Sequence, residues 1–226
     1  MPEEVKVKEP VLAPLDEFHY FVTPIYITKQ PQFLEAVKVI AADSIKKVHG
    51  KKKPDKIHPV LMSGNMLEDP RIEEFASFIG STAWNIMSNQ GYAMENFSTL
   101  FTEMWSQEHY QTSSMDYHAH PGGNFLVGFY FLDVPEGAPH AVIHDPRPGR
   151  MMLDLPQANP TQATLSSTMI NFKPEPGMMM FAPAWLAHSF GRNPSKAPFR
   201  FVHFNLGVQP SAPATPATPA TPAEII

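Results

Sequence analysis

The chain of 226 residues contains no cysteine. That excludes both a disulfide framework and a thiolate metal site, and any metal must be held by histidine, aspartate or glutamate. A run of about eighteen consecutive apolar residues, the length a membrane-spanning helix needs, is also missing. The opening MPEEVKVKEP is charged where a secretory signal would be apolar. A soluble, cytoplasmic protein without a membrane partner is expected. Basic blocks are scarce as well: 17 Lys and Arg stand against 22 Asp and Glu, a formal net charge of -5. Nucleic acid is therefore not an expected partner. The short run Lys51, Lys52, Lys53 lies between Gly50 and Pro54 and reads as a solvated loop.

Proline, at 25 residues, is abundant, and much of it lies in SAPATPATPATPAEII, an Ala-Thr-Pro repeat almost free of bulky apolar side chains. Such a segment cannot pack a core and is expected to be extended and disordered. The organisation expected is a polar leader over 1–17, one domain over 18–208 and the tail over 209–226. At 43% hydrophobic the chain has enough apolar residues for a sizeable core.

Within the domain, helices come first and strands follow. FHYFVTPIYI (18–27) reads as a strand interrupted by Pro24, which suits an edge or a bulge. Over 32–48, Leu34, Val37, Ile40, Ala41, Ile45 and Val48 recur near helical spacing, with Gly50 as a stop. A second helix opens at Asp69-Pro70, where aspartate caps free amides and proline suits the first helical position. It presents Ile72, Phe75, Ile79, Ala83 and Ile86 on one face and ends at Gly91. After Gly91 come short β-rich runs at 99–105, 125–132, 140–144, 178–185 and 199–208, spaced as in an antiparallel sandwich or barrel. The expected class is α+β, mainly β: a jelly-roll, or double-stranded β-helix, buttressed by the N-terminal helices.

The chemistry concentrates in two stretches. In MDYHAHPGGNFLVGFYFLD (115–133), His118 and His120 are one residue apart, and residues i and i+2 of a strand share a side. Two imidazoles on one face can chelate. His188, after MMMFAPAWLA, is the candidate third ligand, completing a mononuclear iron site with open positions for an oxo acid and oxygen. Arg200 follows on the next strand, and its guanidinium offers a carboxylate a two-pronged donor. Asp145 is an alternative carboxylate ligand, in which case one histidine of the pair orients rather than binds.

These pieces together resemble a known group. His118-Ala119-His120, Pro121-Gly122, Gly128 to Leu132, Asp145-Pro146-Arg147, Phe181 to His188 and Arg200 to Asn205 are similar to the motifs of 2-oxoglutarate- and Fe(II)-dependent oxygenases. The resemblance is to the prolyl-hydroxylase-like superfamily, of the type found in marine bacteria and phages, and covers about 20–208. It implies a double-stranded β-helix, iron held by His118, His120 and His188, and 2-oxoglutarate held at its far carboxylate by Arg200 with Tyr130 in support. It also implies a dioxygenase that uses O2 and releases succinate and CO2 while hydroxylating a substrate, with peptidyl proline one hypothesis. The superfamily usually has H-x-D where this chain has H-x-H. Other classes stay open, namely a non-catalytic cupin-like binding module and a phage structural or attachment protein. The substrate, a small molecule or a protein side chain, and the oligomeric state are not readable.

Overall fold

Short runs rich in apolar side chains build two antiparallel sheets, and two helices close one of them. The computed structural model describes residues 15–19, 21–120, 122–152 and 155–211. Most of the expected leader and the repeats of the tail lie outside the described residues. The chain enters through β1 (Tyr26–Lys29), passes α1 (Leu34–His49), β2 (Val60–Met62) and α2 (Glu73–Asn89), and continues through β3 (Phe97–His109) and β4 (Met115–His118). Strands β5 (Leu126–Asp133), β6 (Ala141–His144), β7 (Met169–Phe172), β8 (Met178–Pro183), β9 (His188–Phe190) and β10 (Phe199–Pro210) follow. The large sheet has the order β1-β8-β5-β10-β3-β2 and the small one β4-β9-β6-β7. This is the expected jelly-roll.

Both helices lie where their periodicity puts them. In α1, Val37, Ile40, Ala41 and Ile45 are buried, and Gly50, at φ +59°, closes the helix by donating its N–H to Lys46 O. Pro70–Ile72 forms a short 3-10 turn ahead of α2, and the Asp69 side chain accepts from Arg71 N as an N-terminal cap. Phe75, Ile79, Ala83, Ile86 and Met87 are the buried face of α2. The strand expected over 18–27 shrinks to β1, one residue past Ile25, because Pro24 has no N–H for a ladder. Sequence periodicity gave no sign of β2 or β7, which are three and four residues long.

Strand β10 divides the core in two. On one face, Val202, Phe204 and Leu206 join Tyr130, Leu132, Met179 and the helices. On the other, Phe199 and Phe201 join Phe129, Phe131, Met180 and Phe190 between the sheets. Phe199, Phe201 and Phe204 are fully buried. Each contributes about 1.5–3 kcal/mol of hydrophobic stabilisation. This division of faces decides which side chains can reach the site.

Candidate metal centre

Four histidines meet at one end of the space between the sheets: His118, His120, His188 and His203. Each offers a ring nitrogen, and the four nitrogens lie within 4.8 Å of one another. His118 ends β4 and His188 opens β9, and the two are register partners across the small sheet. Past the strand, His120 is tied to the turn before β9 by its backbone N–H, which donates to Ala184 O at 2.8 Å. His203 comes from the opposite wall, in the middle of β10. The expected trio is brought together, and the fourth ring was not anticipated from the sequence.

The protonation pattern suits a metal. His118 Nδ1 lies 2.7 Å from Asp116 O and His188 Nδ1 lies 3.1 Å from Leu186 O. A carbonyl only accepts, so both Nδ1 atoms carry the proton and both Nε2 atoms are left with a lone pair. His188 Nε2 is buried without a hydrogen-bond partner. Burial, then the neighbouring His118, lowers the pKa of His120 to about 4 and that of His188 to about 3. Burial holds His203 well below its ordinary value too. The buried rings are neutral at pH 7 and ready to donate lone pairs.

The surroundings are aromatic. Trp105, the register partner of His203, stacks on its ring with centroids 4.4 Å apart. Phe129 packs against His188 at 5.3 Å and His203 at 4.5 Å. The buried polar atoms without a partner among the described residues are Trp105 Nε1, His188 Nε2, His203 Nδ1 and Asn205 Oδ1. Trp105, His203 and Asn205 are near neighbours in the β3–β10 ladder, so these atoms gather at the histidine end. Orphaned polar atoms concentrated in one place mark a site that something else completes.

Arg200 is not part of this arrangement, a correction to the expectation. It lies on the helix side of β10, where Nε donates to Glu108 Oε1 at 2.7 Å and Nη1 to Asp133 Oδ2 at 3.0 Å. It lies three positions before His203, an odd step along the strand, so the two point to opposite faces. Tyr130 is likewise on the helix side: its hydroxyl donates to Gln30 O at 2.7 Å and its ring packs on Phe75. Neither residue can hold the far carboxylate of a ligand bound among the histidines. The alternative ligand Asp145 is engaged in a two-pronged pair by Arg147 and is not in the histidine group. The donor set therefore fits a divalent metal through nitrogen alone, and the expected anchor for 2-oxoglutarate does not fit.

Next to His188, the facing residue Ile143 of β6 opens onto a cavity of about 780 Å³. Ile25, Ile143, Ile170, Phe172, Trp185 and Leu186 contribute apolar lining.

Comparison with known proteins agrees with this geometry. Residues 103–205 match the family described as "Putative 2OG-Fe(II) oxygenase". All four histidines fall inside that span. This span, a little under half of the chain, is similar to the 2OG-Fe(II) oxygenases. They are oxidoreductases named for ferrous iron and 2-oxoglutarate, their cofactor and co-substrate. Solved structures of the same fold include a 2OG-Fe(II) oxygenase family oxidoreductase from Burkholderia pseudomallei, 10% identical, with a TM-score of 0.50 and 77% of each chain covered. A prolyl-4-hydroxylase from Pseudomonas putida is 8% identical, with a TM-score of 0.54 over 81% of this chain and 92% of that one. The alpha-ketoglutarate-dependent carbocyclase SnoK of nogalamycin biosynthesis is 10% identical, with a TM-score of 0.59 over 82% and 79%. No curated protein matches the chain. Within the matched segment, the histidines from β4, its following turn and β9 form one wall and His203 the other. No helix among the described residues is long and apolar enough to cross a membrane.

Proposed function

We propose that the protein is an iron-dependent dioxygenase that hydroxylates an apolar group of a small molecule or a protein side chain, peptidyl proline being one candidate. The observation that carries this reading is His188: its Nε2 is bare, buried and unpartnered, and it faces the bare Nε2 of His118 across a strand pair. Iron and 2-oxoglutarate, when bound, would put O2 to use as the oxidant, one of its atoms entering the succinate formed as 2-oxoglutarate loses carbon dioxide and the other passing to a C–H bond of the substrate. His118, His120 and His188 hold the ion. Leu186 O and Asp116 O fix two of the rings in the metal-binding tautomer. Phe129 and Phe190, in contact at 5.3 Å, keep water away from the inner side of the centre. The cavity beside Ile143 seats the substrate, and its lining, apolar side chains together with Glu17, Asp145 and Arg147, suits a hydrocarbon group that carries a polar neighbour.

The test is an anaerobic titration of metal-free protein with Fe(II) and then 2-oxoglutarate, following the weak visible band of the chelate. Wild type is expected to develop the band and His188→Ala to lose it. If iron binds without a band and 2-oxoglutarate is not consumed under air, the oxygenase reading fails. A metal-holding module without catalysis would then take its place, a reading that Arg200's position on the far face of β10 favours.

A further inference from the structure

We infer that His203 is a fourth metal ligand, so that the ion is held by four neutral imidazoles and no carboxylate. This rests on the metal-centre reading above and adds a residue that the H-x-H and distal-histidine pattern does not contain.

The argument turns on one distance. His203 Nε2 lies 3.2 Å from His120 Nε2. Two ring nitrogens that close are either a donor and an acceptor sharing a proton, or two lone pairs aimed at a common cation. The first arrangement uses up His120 Nε2: if it accepts from His203 its lone pair is spent, and if it donates it has none there. An ion bound by His120 through Nε2 therefore requires a bare Nε2 on His203 as well, and two bare nitrogens at this separation repel unless a cation lies between them. Metal–nitrogen bonds of about 2.1 Å put neighbouring donors about 3.0 to 3.4 Å apart, for octahedral to tetrahedral angles. The observed distance lies within that range, whereas the full spread of the group, up to 4.8 Å, exceeds the about 4.2 Å that two such bonds can span, so the rings must close by a few tenths of an ångström around the ion.

His203 is also built to stay where it is. It is 1% exposed, sits in the middle of β10, and is clamped between Trp105 at 4.4 Å and Phe129 at 4.5 Å. A positioned imidazole donates at little entropic cost. With four neutral ligands the ion keeps its full double positive charge, where a carboxylate ligand would halve it. None of the contacts recorded for the four rings among the described residues is with lysine or arginine. Four donors leave two positions on an octahedral ion; a chelated 2-oxo acid would fill both, and O2 would then reach the ion only when one of those donors let go.

Zn(II) serves as a diamagnetic probe for the full chain labelled with 15N-histidine. Long-range 1H–15N spectra report, ring by ring, which nitrogen carries a proton, a lone pair or a metal. Four Nε2 signals are expected to move to the metal-bound position on adding Zn(II), and His203→Gln should remove one of them and weaken Zn(II) binding at least tenfold. Trp105→Phe, which keeps a stacking ring, should retain all four. Three moving signals, with His203 Nε2 unmoved and affinity unchanged in His203→Gln, would overturn the fourth ligand and leave the metal centre intact. No movement of any histidine signal would overturn both.

Discussion

Arg200 and His203 are three residues apart on one strand and do opposite jobs. Arg200 ties β10 to its two neighbours through Glu108 and Asp133, both its register partners. Tyr110 donates to Glu108 Oε2 at 2.7 Å and Lys38 reaches Asp133 Oδ1 at 3.2 Å, which makes a network rather than a lone pair. Removing the guanidinium leaves two half-shielded carboxylates with fewer donors. Arg200→Ala is expected to cost about 1–3 kcal/mol in a urea unfolding curve. Fe(II) affinity should stay within twofold of wild type. Unchanged stability with lost 2-oxoglutarate binding would return Arg200 to the site. The sequence showed an arginine a dozen residues after a distal histidine, a spacing that says nothing of facing. Knowing that Phe199 and Phe201 point between the sheets reverses the assignment and brings in His203, whose position has their parity. Within FRFVHFN, which face is interior is set by the helices packed on the other side, and those lie more than a hundred residues earlier in the chain.

The elements were more legible than their faces. Both helices announced themselves through spacing and stop signals, because an apolar stripe and its terminating residues are local. Strands β5, β8 and β10 were legible as near-continuous apolar runs for the opposite reason: they are covered on both sides, so alternation is lost. That same loss hid which of Tyr130 and Phe129 lines the site. Gly128 is the one break in the β5 run, and its reason is packing. A Cβ there would come within 2.2 Å of the Phe204 ring and 2.6 Å of Met180 O on the adjoining strand. The ring lies across the strand in the space a side chain would take. Gly128→Ala must displace either that ring or the β8 backbone, and is expected to destabilise by about 2–4 kcal/mol. Thermal unfolding of the two proteins checks it. A variant as stable as wild type would mean that Phe204 has another rotamer available at no cost. Because Phe204 and His203 are consecutive, a shifted β10 backbone should also weaken metal binding.

At the scale of the whole molecule, the fold holds several imidazoles neutral in its interior, and this gives its stability a pH dependence of definite sign. His109 is 3% exposed, 2.8 Å from Gln107 Oε1, and stacked on Phe201 at 5.3 Å. Burial, with a smaller effect of His58, lowers its pKa to about 4. Above pH 6.5 the ring is neutral in folded and unfolded chains alike, and makes no difference. As pH falls below 6.5 the unfolded chain takes a proton that the folded chain refuses, so stability drops, and it goes on dropping until about pH 4. The total for His109 alone is about 3 kcal/mol. His188, lowered to about 3, adds its own loss over the same range in the metal-free protein. Carboxylates titrate mostly below about pH 5, so the interval between pH 6.5 and 5 reports the histidines. Metal-free protein is therefore expected to lose stability steeply across that interval, with His109→Gln reducing the slope by one proton's worth. Urea midpoints measured at half-unit steps decide it, and a flat profile from pH 7 to 5 would mean that the interior admits protons. Loading the ion should hold the curve up to lower pH, because metal bound to the lone pairs must be displaced before His188 can charge.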